Sequence, residues 1–194
     1  MTVVLASKSP RRRQLLEMLC VENLRIVPAT GEEKVPQNAG PEEIVRTLSE
    51  AKACEISERL AAENDRPDII ISADTIVWLD GKLLGKPHNE REAADMLSSL
   101  SGKTHEVFTG LCVICEDRIV SECERTEVCF RELSTDEIDA YIRTGEPMDK
   151  AGAYGIQGKG SLLVEHINGD FFNVMGLPVC RLGRILKEQG VRLI

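Results

Sequence analysis

A chain of 194 residues is long enough for one domain or a compact two-lobed unit with a sizeable core. Its 42% hydrophobic and 29% charged residues separate it from disordered and fibrous chains. The formal net charge of -8 offers no positive field to hold a nucleic-acid polymer or an acidic membrane, so neither is an expected partner. A small anion remains compatible if basic residues gather locally.

No run approaches the ~18 apolar residues of a membrane-crossing helix. The opening segment places a short apolar run before Lys8 and Arg11–Arg13, the reverse of a secretory signal. Seven cysteines, an odd number, fall in regular-looking segments (Cys54, Cys115, Cys180) and suit reduced, buried thiols in the cytoplasm. Cys112 and Cys115 have metal-motif spacing, but their apolar surroundings predict strand packing.

In chain order, Val3–Ala6 predicts a buried strand, and Pro10 opens a helix to Cys20. Leu24–Pro28 predicts a second strand, and the periodicity of Glu42–Asn64 a long helix. Asp68–Ser72 reads as a buried strand, continued by Thr75–Leu79 after Ala73 and Asp74. Asp80-Gly81 then turns the chain into Lys82–Leu84. A helix over Glu90–Leu100 precedes a long hairpin, Thr104–Cys115 with Arg118–Phe130. Ser134 and Glu137 match a capping box for a helix to Thr144, closed by Gly145. Met148–Gly160 reads as irregular and too polar and broken for core. Ser161–Asn168 and Asp170–Phe172 read as a second hairpin about Asn168-Gly169, Leu177–Gln189 as a last helix, and Val191–Ile194 as a terminal strand. The fold class expected is α/β, with a mixed, twisted central sheet and flanking helices, in a single domain over residues 1–194.

Ser7, Lys8, Ser9 and Arg11–Arg13 sit at a strand-to-helix junction, where backbone N–H groups and the helix dipole favour an anion. Cations in a first turn oppose that dipole, and a bound phosphate would resolve the conflict; a capped helix with a solvated basic turn is the plain alternative. Asp74-Thr75 follows the apolar run Ile69–Ile71, so Asp74 is placed to ligate a metal or activate water, or merely to cap a turn. Glu32 and Glu33 offer loop oxygens for a hard cation. Lys52 on its helix reads by default as solvated, and Lys86 in Gly85-Lys86-Pro87 as a phosphate contact or an exposed turn lysine. The run Glu146–Gly158 mixes acid, base, aromatic and amide groups among glycines, and Gln157 could read a base edge. His105 reads as structural, and His88 and His166 lack partners at metal-ligand spacing, which speaks against zinc.

These segments together resemble the Maf family of nucleotide pyrophosphatases: Ala6–Arg12, Ser72–Val77, Gly85–Pro87, Ser101–Val107, Glu146–Gly158 and Gly169–Pro178, in family order and nearly end to end. The resemblance implies two lobes around a central cleft, as in inosine triphosphate pyrophosphatases, and commonly a homodimer. It also implies Asp74 as catalytic proton acceptor, Ser7, Arg12, Lys52 and Lys86 as substrate-binding residues, and Glu33 with Asp74 as ligands of a divalent cation, Mg²⁺ or Mn²⁺. Arg11, Thr75 and Gln157 match the branch hydrolysing dTTP and UTP to the monophosphate and pyrophosphate. Within the family the alternatives are a 7-methyl-GTP pyrophosphatase and an enzyme acting more broadly on modified pyrimidine triphosphates. Outside enzymes it is a non-catalytic, nucleotide-binding regulator of cell division.

Overall fold

The computed structural model describes every residue except Glu33, Gln37, Asp117, Arg192 and Ile194. Its strands are β1 (Val3–Leu5), β2 (Leu24–Ile26), β3 (Ile69–Leu79), β4 (Lys82–Leu84), β5 (Thr104–Cys115), β6 (Arg118–Phe130) and β7 (Val164–Asn168). Its helices are α1 (Pro10–Met18), α2 (Pro41–Ala62), α3 (Glu90–Leu100), α4 (Thr135–Ile142), α5 (Phe171–Met175) and α6 (Val179–Glu188), with short 3₁₀ turns over Glu146–Asp149, Ala151–Ala153 and Gly158–Leu162. Among the described residues the strands follow the order β2-β1-β3-β5-β6-β7, with β4 also on β3. β1 pairs parallel with β2 and β3, whereas β4 and β7 pair antiparallel with β3 and β6. The sheet is therefore mixed, as expected for helices alternating with hairpins.

The chain divides into two compact units. The first holds residues 1–74, 109–124 and 176–194; the second holds 75–108 and 125–175. Each has its own core. In the first, Ala53, Ile56 and Leu60 on one face of α2 pack with Val4, Ile70 and Cys112 from the strands. Gly110 lets α2 approach β5 closely, because a Cβ there would lie 2.0 Å from the Val45 carbonyl oxygen. In the second, Leu97 and Leu100 of α3, Ile138 of α4 and Val128 and Phe130 of β6 share a core with Ala153 and Tyr154.

The Asp80-Gly81 turn, the capping box at Ser134 and the core position of Cys112 follow the sequence expectations. Other readings need correction. β3 runs unbroken through Asp74 instead of pausing there. The Met148–Gly160 stretch is not excluded from core, since Ala153 is fully buried and Tyr154 only 5% exposed. Residues 161 and 162 belong to a 3₁₀ turn, and β7 starts at Val164. Residues 171–175 form a short helix, not a returning strand. Two bonds favour the helix, one local and one remote in sequence: Asp170 Oδ1 accepts from Phe172 N at 2.8 Å, and the buried Asn173 amide donates to Val107 O at 3.0 Å. Val191 and Leu193 carry no strand; the rest of that expected strand lies outside the described residues. All seven cysteines are free, but Cys180 is exposed, so burial does not extend to every thiol. No helix among the described residues is long and apolar enough to cross a membrane.

Candidate active site

The parallel register of β1 and β3 ends at Leu5↔Ile71, and the last bond of that edge runs from Ala6 N to Ile71 O, 2.8 Å. β3 outruns its neighbour, so Asp74 emerges just beyond the end of β1. Continuing the register sets Ser7 level with Ala73. A carboxylate held by a strand beside a strand-to-helix junction is thus a consequence of strand length.

Two pairs occupy this region of the first unit. Ser7 Oγ, mostly buried, accepts from Ser9 N and from Arg12 Nη1, each at 3.2 Å, while Arg12 Nε donates to Gly176 O at 2.7 Å. The guanidinium plane is thus fixed from two sides. Gly176 lies within the Gly169–Pro178 motif, which carried no role for it; its carbonyl is the second anchor of Arg12. The other pair is Lys52 Nζ, which donates to Asp74 Oδ1 at 2.5 Å. Their side chains are only 18% and 11% exposed, so the default of a solvated Lys52 fails. One turn before Lys52, Ser49 O accepts from Ser72 Oγ at 2.5 Å and fastens α2 to β3. Arg11 is half-buried on α1.

The second unit carries Thr75 on β3, the exposed Lys86 and the half-buried Gln157. Here the backbone is held. Gly152 N donates to Gly85 O at 3.0 Å, joining the lysine turn to the glycine-rich run. Gly152 has φ 68° and a Cβ there would sit 3.0 Å from Val77, so both the angle and the contact call for glycine. Glu146, to which the sequence assigned no role, accepts from Lys159 N and Gly160 N, each at 3.3 Å. The Tyr141 hydroxyl, pushed up to about 12 by burial, accepts from Gly155 N at 3.2 Å. These anchors flank Gln157 on both sides. Beneath them His105 Nε2 meets the Tyr154 hydroxyl at 2.7 Å, and both rings stack edge-on with Phe130. Burial lowers His105 to about 4, so it is neutral at pH 7, and its role is structural as expected.

The structure therefore brings Ser7 with Arg12 and Lys52 with Asp74, and separately ties the Lys86 turn to the Gln157 run. Glu33 lies outside the described residues; Glu32 is exposed. Among the described residues, Asp74 Oδ2 has no hydrogen-bond partner, leaving one hard oxygen for a cation. That donor fits Mg²⁺ or Mn²⁺, which commonly take one or two protein carboxylates and complete their shell with water and phosphate oxygens.

The profile of the family described as Maf-like protein matches residues 2–189. The chain belongs to the Maf family. Two relatives from Bacillus cereus, each named dTTP/UTP pyrophosphatase, match over 97% of this chain. The protein of strain ATCC 10987 / NRS 248 is 51% identical with 90% of its length covered, and that of strain ZK / E33L is 50% identical with 96% covered. A relative of the same name from Bacillus anthracis is 50% identical, with 97% and 96% covered. A crystal structure of a nucleoside-triphosphatase / dITP/XTP pyrophosphatase from Mycobacterium abscessus aligns with 97% of this chain and 94% of its own, at 13% identity and a TM-score of 0.46.

Proposed function

We propose that this Maf protein hydrolyses dTTP and UTP at the α–β phosphoanhydride, releasing the nucleoside monophosphate and pyrophosphate. The observation that carries the reading is the Lys52–Asp74 pair at the point where β3 outruns β1, beside the Ser7–Arg12 junction. The relatives' names agree with it.

Water attacks the α-phosphorus, Asp74 takes its proton, and the bond from that phosphorus to the bridging oxygen breaks. Negative charge grows on the departing pyrophosphate, so fixed cations that meet it there lower the barrier most. Arg12 is held for that purpose, with Ser7 Oγ orienting its guanidinium. Lys52 aims Asp74, and Lys86 serves as a further phosphate contact. A divalent cation, held by Asp74 with Glu33 as second ligand, supplies charge neutralisation when bound. Arg11, Thr75 and Gln157 select the pyrimidine nucleotide, Gln157 offering both a donor and an acceptor to the base edge. We assign the working form to the cytoplasm, as a homodimer.

The test is a nucleotide panel with Mg²⁺ and with Mn²⁺, measuring pyrophosphate and phosphate release separately. The expected result is pyrophosphate from dTTP and UTP. Preference for 7-methyl-GTP would move the protein to the other branch, and tight nucleotide binding without turnover would make it a sensor.

A further inference from the structure

We propose that Cys129, Glu165 and His166 form a binding site for a borderline-soft divalent metal such as Zn²⁺, separate from the residues assigned to the nucleotide. Their spacing along the chain gives no sign of this; strand register does. Cys129 on β6 is the partner of His166 on β7, whereas the next residue, Phe130, is the partner of Val164. Glu165 is left without an opposite number, so two consecutive residues of β7 face one of β6. A bulge of this kind breaks the strict alternation of side chains and brings neighbours towards one face. Here it gathers a thiol, a carboxylate and an imidazole.

The ligand atoms of the three groups lie within 4.8 Å of one another, with Cys129 Sγ 4.0 Å from Glu165 Oε2. Bonds of roughly 2.0–2.3 Å to a tetrahedral ion leave ligands about 3.5 Å apart, so closure needs an approach of about 1 Å. That is within the reach of side chains on an exposed edge: His166 and Glu165 are exposed and Cys129 is half-buried. One sulfur, one nitrogen and one oxygen favour Zn²⁺ or Co²⁺ over Mg²⁺, which prefers oxygen alone. Three protein ligands also leave a fourth position for water or an added ligand. The other two histidines do not share this arrangement: His88 is exposed and turned to Glu92 at 2.7 Å, and His105 is buried against Tyr154.

The experiment titrates the full, chelator-treated chain with Co²⁺ as the only added metal, followed by Zn²⁺. The expected result is one equivalent of Co²⁺ with a thiolate-to-cobalt charge-transfer band, displaced by Zn²⁺ and indifferent to excess Mg²⁺. No residue assigned to the nucleotide is a cysteine, so cobalt bound there would show no such band. Cys129→Ser should abolish the band, and His166→Ala, on the exposed edge where folding is not at issue, should weaken binding about tenfold or more. A wild-type protein without the band, or a band undiminished in Cys129→Ser, overturns the site. Neither result touches the nucleotide reading, which the panel tests by itself.

Discussion

Side chains are what the first unit holds still, and backbone is what the second holds still. Arg12 is fixed by Ser7 and Gly176, and Asp74 by Lys52, through bonds of 2.5–3.2 Å to the functional groups themselves. Around Gln157 the anchors grip Gly155 N, Lys159 N and Gly160 N, while Lys86 stays exposed. The difference matches the two demands of a nucleotide hydrolase. Charge stabilisation at a reacting phosphate requires groups aimed in advance, because reorientation during the reaction costs much of the benefit. Recognition of a base needs a rigid frame, with the reading group free to settle on its partner.

The sharpest way to break this contrast is Asp74→Asn. It keeps shape and removes the base, so kcat should fall about 10²–10⁴-fold with KM little changed. The variant also removes the Asp74 charge from its pair with the Lys52 ammonium. Stability should therefore fall, by less than the roughly 3–5 kcal/mol of a fully buried pair. Pyrophosphate release near the wild-type rate would remove Asp74 from the chemistry and the first unit from its special place.

Acid should separate the units next. His105 is lowered from 6.5 to about 4 by burial. The unfolded chain takes up a proton below about 6.5 while the folded chain resists until about 4, so the stability of the neutral ring is whole above the first pH and lost on descending to the second. The full loss is about 3 kcal/mol. Because His105 holds Tyr154, hydrogen exchange in the glycine-rich run should quicken over that interval before exchange in β1. His105→Gln should be less stable at neutral pH but flat across it. An unchanged slope in that variant would assign the acid response to other groups.

The two lysines offer a finer comparison. Lys52→Met should lower kcat about a hundredfold, because the base loses its aim, whereas Lys86→Met should chiefly raise KM, about tenfold. Equal effects on kcat would put both lysines in one role and dissolve the distinction.

Most of the fold was legible because its signals are local. The periodicity of α2, the Asp80-Gly81 turn and the Ser134–Glu137 capping box each depend on neighbours in the chain. The misreadings that matter most turn on partners remote in sequence. Phe171 and Phe172 look like strand residues until Asn173 finds Val107 O. Tyr154 looks like part of a loop until His105 and Phe130 enclose it. The candidate site residues stood out by their chemistry and then by the family pattern, but the parallel register that leaves Asp74 just beyond the end of β1 depends on strand pairing remote in sequence.

Glu146 makes the smallest and most discriminating prediction. Its carboxylate receives two backbone N–H groups from one side of the Gln157 segment, and its carbonyl receives Lys150 Nζ at 2.5 Å. Glu146→Ala leaves the carbonyl bond in place and removes the two amide contacts and the carboxylate's bond to the Tyr141 hydroxyl, each contributing about 0.5–1.5 kcal/mol. The frame around Gln157 loosens while Lys52, Asp74 and Arg12 stay untouched. KM for the preferred pyrimidine triphosphate should rise about tenfold with kcat near wild type, and discrimination against purine triphosphates should narrow. Glu146→Gln, which keeps one carbonyl oxygen as acceptor, should recover part of both. If the alanine variant instead lost kcat at constant KM, Glu146 would be acting on the reaction, and rigid backbone in the second unit would be serving catalysis as well as recognition.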